Sequence, residues 1–327
     1  MKLTNFIGNE KVVDSLSKLF EGGRFPHALI IEGEDGIGKK TLARDLACTL
    51  VCRGDDKPCG ECTQCKKAIA GVHPDISEYI PAGGVNSFHV DTVRNIINDA
   101  YIQPNEADYK IYILANAHCM NQNAQNALLK ILEEPPKYVV FILTTNSKSA
   151  LLSTVLSRSV CVTLEGVDIE RATEYITSHT DDVDYETAKK TAETFNGNIG
   201  KALLSLQDSK TGELVDVCNK LCTALVSSNE YEVLTLCSAF QKDRQGVVFA
   251  CDLLKNIFRD ALFAQNESEC ISGQEKSASL LKTSVSRQNL IRLMETCEEV
   301  KTMALSNANN ALLITKFCYS LNSAIGR

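Results

Sequence analysis

The sequence predicts an α/β fold in its N-terminal half and an all-α structure in its C-terminal half. Up to about residue 165, short apolar runs alternate with amphipathic segments of helical spacing, and this order is typical of a parallel sheet covered by helices. A glycine-rich loop follows the first apolar run, at the edge where doubly wound sheets bind ligands. Beyond Glu165 only helical patterns continue. We therefore predict a doubly wound parallel sheet followed by helical domains.

Five apolar runs predict the strands of this sheet, and helical stripes lie before and between them. In chain order we expect a helix over 6–20, a strand over 28–31, a helix over 39–51, a strand over 76–80, a helix over 90–102, a strand over 108–115, a helix over 121–132, a strand over 138–144, a short helix over 151–156 and a strand over 159–164. The run YVVFILT (138–144) lacks polar alternation, which is typical of a strand covered on both faces. Pro135 and Pro136 end the helix before it, because a residue preceding proline avoids the α region.

The rest of the chain divides into two helical parts. Residues 166–207 predict a small helical unit, and from Leu214 onward apolar residues recur every three or four positions. The predicted domains are therefore 1–165, 166–207 and 208–327. Six cysteines fall on apolar helical stripes, and we expect them to fill the core of the last domain: Cys218, Cys222, Cys237, Cys251, Cys297 and Cys318.

Composition limits the kinds of partner that the chain can have. A formal net charge of −7 over 327 residues argues against general affinity for nucleic acid, which needs a basic face. The N-terminal segment MKLTNFIGNE has no basic region followed by an apolar one, and no apolar run reaches the roughly 18 residues of a membrane span. We expect a cytoplasmic protein with no membrane contact and with reduced thiols, so clustered cysteines are interpreted first as metal ligands.

The glycine-rich loop reads GEDGIGKKT (33–41) and matches the phosphate-binding pattern GxxxxGK. Its backbone N–H groups, its lysine and the positive end of the next helix can cradle a polyphosphate. The position that should carry a hydroxyl for Mg²⁺ holds a lysine, and the threonine one residue later lies about 100° further around the helix. The loop can hold ATP or ADP but is badly built to hydrolyse it, and a glycine-rich turn without ligand is the alternative. The candidate nucleotide-binding residues are Gly33, Gly36, Gly38, Lys39, Lys40 and Thr41.

A second requirement of a P-loop ATPase is missing from the third strand. Such enzymes place an Asp there for Mg²⁺ and often a Glu to activate water. Here the run KIYIL (110–114) is followed by Ala115 and Asn116, neither of which offers a carboxylate. Two independent requirements for the metal therefore fail in one chain.

Four cysteines with the spacing C-x6-C-x2-C-x2-C predict a structural metal site. Cys52, Cys59, Cys62 and Cys65 can supply the four thiolates of a closed tetrahedral zinc centre, which has no open position for catalysis. His73 is a conceivable substitute ligand, and a set of free thiols is the alternative interpretation.

One arginine lies between the short helix and the last strand. Arg158 in the triplet Ser-Arg-Ser has no acidic neighbour in sequence, so it is either a solvated surface residue or a finger that reaches a neighbour's nucleotide. Glu133 and Glu134 are placed unfavourably at the end of a helix. Lys130 and Lys137 can offset them, or a partner can use the charge.

Several motifs resemble one family, the AAA+ clamp-loader subunits of bacterial DNA polymerase III, and among these the delta-prime type. They are the four-cysteine insertion together with GRFPHALIIEG (23–33), GVHPD (71–75), NALLKILEEPP (126–136), TTN (144–146) and LSRS (156–159). The run NALLKILEEPP with a cysteine cluster upstream is highly specific to the family, whereas GxxxxGK alone is not.

The resemblance implies a RecA-like AAA+ domain with a zinc module, a three-helix lid and a helical collar. It also implies that Arg158 reaches ATP bound by the adjacent subunit, although Ser159 replaces the family's cysteine. In GNIGKAL (197–203), Gly200, with Lys201 beside it, stands where a motor subunit has an arginine. The implied partners are gamma/tau and delta subunits and, through the complex, the sliding clamp and primed DNA at the nucleoid-associated replisome.

We therefore expect a non-hydrolysing stator that is part of a DNA polymerase holoenzyme. Two other hypotheses stay open. One is an active P-loop ATPase, either a motor subunit or a stand-alone enzyme, and the other is a zinc-bearing DNA-binding module.

Overall fold

The computed structural model describes residues 3, 6–81, 88–180, 183–207, 209–227, 229–241, 243–263, 272–305 and 309–326. The chain forms two compact units, Met1–Val167 and Asp168–Arg327. Among the described helices, none has the length and hydropathy that crossing a bilayer requires.

The first unit is built on a parallel sheet of five strands in the order β2-β3-β4-β1-β5. The strands are β1 (Ala28–Glu32), β2 (Ile76–Tyr79), β3 (Lys110–Leu114), β4 (Val139–Thr145) and β5 (Val160–Thr163). All the neighbouring pairs run parallel. Since Glu32 is paired with Thr145 and Leu114 with Leu143, β1, β3 and β4 end at the same edge.

Helices cover both faces of this sheet. They are α1 (Glu10–Glu21), α2 (Lys39–Val51), α3 (Thr63–Ile69), α4 (Val90–Ala100), α5 (Gln122–Glu133) and α6 (Ser153–Leu156). Alternate strand residues point into two separate cores: Ile30, Tyr112 and Phe141 join the helices α4 and α5 on one face, whereas Leu29 and Ile142 join α1 and α2 on the other. This burial on both faces is the reason that β4 lacks polar alternation.

The described part of the second unit is entirely helical. Its helices are α7 (Ile169–His179), α8 (Tyr185–Thr194), α9 (Ile199–Gln207), α10 (Ser209–Ser227), α11 (Glu230–Ser238), α12 (Arg244–Phe263), α13 (Glu275–Ser284), α14 (Arg287–Leu305) and α15 (Asn310–Ala324). The six cysteines predicted as core residues are buried together with Phe240, Phe258 and Phe317. The predicted fold class, α/β plus all-α, is confirmed. The division of this unit near residue 207 into a lid and a collar stays a prediction.

Several element boundaries differ from the sequence prediction, and one helix of the first unit was not predicted. Helix α1 begins at Glu10 and not near residue 6, because Gly8 and Asn9 have positive φ angles of 78° and 54°, which a right-handed helix cannot contain. Helix α4 ends at Ala100, before Tyr101 and Ile102. Helix α3 lies within the cysteine-rich segment and was not predicted; its N-cap is Cys62, whose sulfur accepts the N–H of Cys65.

Candidate functional site

The glycine-rich loop lies at the carboxyl edge of the sheet, between β1 and α2. Gly36 and Gly38 have φ angles of 84° and 98°, and glycine adopts such angles at little cost. A Cβ atom on Gly38 would also lie 3.0 Å from the ring of Phe6. The backbone of the loop therefore requires glycine whether or not a ligand binds.

Lys39 is almost fully buried at the start of α2, with 6% of its surface exposed. Its Nζ atom donates to the backbone oxygens of Gly33 and Glu34, each over 2.7 Å, and to Oδ1 of Asn146 over 2.9 Å. An ammonium group has three N–H donors. The protein's own oxygens therefore occupy the donors that a polyphosphate would need.

The partners of Lys39 are joined to one another. Asn146, the residue after β4, donates from Nδ2 to Oδ2 of Asp35 over 2.9 Å, and Oδ1 of Asp35 lies 3.5 Å from Nζ of Lys39. The backbone N–H of Asn146 donates to Nδ1 of His118, and burial lowers the pKa of His118. A closed polar network thus connects the loop with the ends of β3 and β4.

The positions that would serve Mg²⁺ hold no available carboxylate. Lys40 and Thr41 lie half-buried in the first turn of α2. Ala115 and Asn116 directly follow β3, as predicted. The one acidic side chain at the end of β1 is Glu32, whose oxygens accept from the N–H of Lys148 over 2.9 Å and from the hydroxyl of Thr163 over 3.0 Å. The N–H of Lys148 is the main cause that lowers the pKa of Glu32. Glu32 therefore links the end of β1 to β5 and to the segment that follows β4.

The four cysteines of the predicted metal site come together between α2 and α3. The Sγ atoms of Cys52, Cys59, Cys62 and Cys65 all lie within 4.8 Å of one another, and those of Cys59 and Cys65 are 3.9 Å apart. Zinc–sulfur bonds of about 2.3 Å in a tetrahedron place sulfur atoms roughly 3.8 Å apart. The donor set and its spacing therefore fit a structural zinc ion.

Backbone N–H groups around this cluster stabilise negative charge on sulfur. The N–H of Cys59 donates to the sulfur of Cys52, that of Cys62 to the sulfur of Cys59, and that of Cys65 to the sulfur of Cys62, each over 3.4 Å. Burial would raise the pKa of the Cys62 thiol, but the N–H groups of Arg53 and Cys65 and the neighbouring thiols outweigh it and lower that pKa to about 6. These hydrogen bonds favour the thiolate of Cys62, the form that binds a metal.

His73 lies beside the cysteine cluster but is not part of it. Its Nε2 is 2.7 Å from Oε1 of Gln64, and its Nδ1 accepts the N–H of Asp75 over 3.0 Å. Both ring nitrogens are therefore engaged, and burial lowers the pKa of the imidazole. The ring is neutral, and it links α3 to the start of β2.

Asp75 continues this link into the loop before β3. Its carboxylate is 1% exposed and accepts the backbone N–H groups of Glu106 and Ala107 over 2.7 and 2.8 Å, as well as both the N–H and the side-chain amide of Asn105. Burial opposes the charged form, but these hydrogen bonds outweigh it and lower the pKa of Asp75. The contacts of Asp75 were not predicted from the sequence.

Arg158 lies just after α6, with one third of its side chain exposed. Its guanidinium forms a 2.5 Å ion pair with Glu133 at the end of α5, and it donates to the backbone oxygen of Thr154 over 2.9 Å. Arg158 and Glu133 line a cavity of about 480 Å³ together with His27, Leu132 and Ser157. The sequence shows no acidic neighbour for Arg158, because the ion pair joins residues 25 positions apart.

Comparison with known proteins identifies the family of the chain. Residues 8–168 match the family described as DNA polymerase III, delta subunit. The DNA polymerase III subunit delta' of Haemophilus influenzae is 30% identical over 234 residues, which cover 71% of this chain and 70% of that protein. The subunit gamma of Buchnera aphidicola subsp. Acyrthosiphon pisum is 32% identical over 209 residues, or 62% of this chain and 57% of the relative.

Two further matches cover very different shares of the known proteins. The subunit tau of Escherichia coli K12 is 33% identical over 167 residues, which cover 50% of this chain and 26% of tau. A solved DNA polymerase III gamma-subunit-related protein from Thermotoga maritima aligns over 95% of this chain and 98% of its own, with 17% identity and a TM-score of 0.45. The matched part of the chain spans little more than half of the Buchnera gamma subunit and about a quarter of the Escherichia coli tau subunit.

Proposed function

This chain belongs to the AAA+ clamp-loader subunit family of DNA polymerase III, and we propose that it is a stator of such a loader, a subunit of the delta-prime type that hydrolyses no ATP itself. Its first unit supplies Arg158 to ATP bound by a neighbouring subunit, and its helical collar holds it in the assembly. The loader as a whole places a sliding clamp on primed DNA.

The observation that carries this proposal is the engagement of Lys39. In a working P-loop the lysine contacts the β- and γ-phosphates, whereas here its Nζ donates to the oxygens of Gly33, Glu34 and Asn146. Binding ATP would require breaking these hydrogen bonds of a buried ammonium group, and Asp35 would bring a negative charge towards the phosphates. The missing hydroxyl at Lys40 and the missing carboxylate at Ala115 also argue against hydrolysis.

Arg158 is the group with which this chain can act on a nucleotide held elsewhere. A guanidinium stays charged at all physiological pH values and can donate two parallel hydrogen bonds to phosphate oxygens. Arg158 lies at the rim of the first unit, is one third exposed and lines an open cavity. These properties suit an arginine that stabilises the charge of a neighbour's triphosphate during its cleavage.

The zinc module has a structural role in this proposal. Cys52, Cys59, Cys62 and Cys65 would hold the ion, and four thiolates leave no open position for substrate. The ion would fasten the segment between α2 and α3. The proposed partners are gamma/tau and delta subunits and, through the complex, the sliding clamp and primed DNA, and the proposed location is the cytoplasm, at the nucleoid-associated replisome.

The deciding experiment reconstitutes the loader with Arg158→Ala. We expect the DNA- and clamp-stimulated ATPase of the adjacent site to fall by about 10³, the order of magnitude expected for a lost arginine finger. Arg94→Ala is the matched control, because Arg94 lies on α4 and pairs with the exposed Asp91 of its own helix. Unchanged stimulation in the Arg158→Ala assembly would remove the proposed role.

An ATP-hydrolysing subunit is the second candidate, because the relatives include gamma and tau subunits of similar identity. Purified alone, the chain should show no steady Mg²⁺-dependent ATPase. Turnover that Lys39→Ala abolishes would favour this second candidate. Tight, salt-sensitive binding of DNA by the isolated chain would instead favour a DNA-binding module.

A further inference from the structure

Arg158 does not extend freely into solvent in this chain. Its NH2 group pairs with Oε1 of Glu133 over 2.5 Å, and its NH1 group donates to the oxygens of Thr154 and Ser157 over 2.9 and 3.2 Å. Two of the three guanidinium nitrogens are therefore held by groups of the same subunit. One of these partners carries a full negative charge.

Glu133 is placed where the ion pair also stabilises its own helix end. It is the last residue of α5, and a carboxylate in the last turn opposes the helix dipole, at a cost of about 0.3–1 kcal/mol when exposed. Pairing with Arg158 offsets that cost. The ring Nε2 of His27 lies 3.0 Å from the backbone oxygen of Leu132. The end of α5 is therefore held by His27 and Arg158, and all three line the cavity.

We propose that Glu133 is a positioning residue that holds Arg158 in a self-paired state, so that a neighbour's triphosphate must replace this carboxylate before Arg158 can contact it. The inference rests on the proposed function and adds that Glu133 competes with the neighbour's triphosphate for Arg158. A triphosphate carries more negative charge than one carboxylate and offers several oxygens to the guanidinium fork. The exchange therefore favours a charged nucleotide and leaves Arg158 paired when that nucleotide is absent.

The competition has a measurable consequence for nucleotide affinity. The free energy needed to break the ion pair between Arg158 and Glu133 reduces the net binding free energy between Arg158 and the neighbour's phosphates. An exposed ion pair of this kind changes the equilibrium constant between its paired and separated states by up to about fivefold. Neutralising Glu133 should therefore tighten apparent ATP binding by about two- to fivefold without changing the chemistry of cleavage.

The test uses the reconstituted loader in which the nucleotide sites that do not adjoin Arg158 have been inactivated. Glu133→Gln keeps the size of the side chain and removes its charge, and Glu134→Gln, at the next exposed residue, is the matched control. For E133Q we expect the KM for ATP to fall about two- to fivefold, with kcat within about twofold of the parent; for E134Q we expect no change. A KM equal in the two variants would overturn the proposal, and so would a kcat loss in E133Q comparable with that of R158A.

Two further measurements separate this proposal from the function on which it rests. The double variant E133Q/R158A should match R158A alone, because Glu133 acts only through Arg158; an additional KM effect of E133Q in the R158A background would contradict this. In the isolated chain, the NMR hydrogen exchange of the Arg158 guanidinium should accelerate in E133Q and not in E134Q. Unaltered exchange would overturn the self-pairing, whereas unaltered ATPase in R158A would overturn the proposed function.

Discussion

The Nζ atom of Lys39 lies 2.9 Å from Oδ1 of Asn146, a residue 107 positions later in the chain. Lys39 belongs to the phosphate-loop pattern and Asn146 directly follows β4, so this hydrogen bond connects the loop to the end of the neighbouring strand. Because Asn146 also binds Asp35, the loop is closed by groups of its own protein. The loop thus has a structural function that does not depend on a nucleotide.

If Lys39 is a structural group, replacing it should destabilise the isolated chain. Lys39→Met retains the aliphatic stem but removes the hydrogen bonds to Gly33, Glu34 and Asn146, and a buried acceptor left without its donor, such as the oxygen of Gly33, costs about 1–3 kcal/mol. We expect a loss of that size in the free energy of unfolding, measured by urea titration. Lys40→Met, at the half-buried next position, is the control and should change it by less than about 0.5 kcal/mol. Equal effects of the two variants would argue against the network.

The cysteine cluster should bind one zinc ion per chain when the protein is purified under reducing conditions. Cys62→Ser should lose most of this zinc, as measured by elemental analysis, whereas Cys161→Ser, at an exposed cysteine of β5, should retain it. Zinc present at 100 times its dissociation constant stabilises the folded state by about 2.7 kcal/mol. A chelator should then lower the Tm of the first unit by roughly 5–10 °C. A chain that contains no zinc under these conditions would contradict the assignment.

Asp75 should stabilise the first unit in a pH-dependent way. Its pKa is lowered in the folded protein, so its stabilising contribution is complete above the ordinary carboxyl pKa near 4 and is lost as the pH falls through the lower folded-state value. Asp75→Asn should cost about 2–4 kcal/mol of unfolding free energy at pH 7, and the difference from the parent should shrink below about pH 4. Urea titrations across this range provide the measurement.

The control for this experiment is Asp91→Asn, because the side chain of Asp91 is 81% exposed. A difference between Asp75→Asn and its parent that stays constant with acidification would show that the charge of Asp75 is not the stabilising feature.

His73 should support the zinc module without binding the metal. Since both ring nitrogens are engaged by Gln64 and Asp75, His73→Ala should leave the zinc content at one ion per chain while lowering stability by about 1–3 kcal/mol. The pKa of His73 is lowered by burial, so its contribution is present above the ordinary histidine value near 6.5 and declines as the pH falls below it. His89→Ala, at an exposed position before α4, is the control. Loss of zinc in His73→Ala would make this histidine a ligand.

Local patterns in the sequence were sufficient for most of the secondary structure of the first unit and for the grouping of the cysteines. All five strands lie within about one residue of the predicted apolar runs, and for β1, β3 and β4 the reason is burial on both faces, which excludes polar residues. The spacing of Cys52, Cys59, Cys62 and Cys65 confines their sulfurs to one short segment, and the structure brings them within 4.8 Å. Helix α3 was missed because its seven residues are too few to establish a periodic apolar stripe.

What the sequence by itself determined is therefore local: the alternation of strands and helices, the helical second half, the cysteine set and the departures of Lys40 and Ala115 from a hydrolytic P-loop. Only the tertiary structure decided the distant partners of three residues: Asn146 for Lys39, residues 105–107 for Asp75 and Glu133 for Arg158, which lie 107, 30 to 32 and 25 positions away. Such contacts depend on the order of the strands and on where each chain segment ends at the sheet edge. Apolar periodicity reports which face of an element is buried, but it carries no information about which polar groups meet across neighbouring elements.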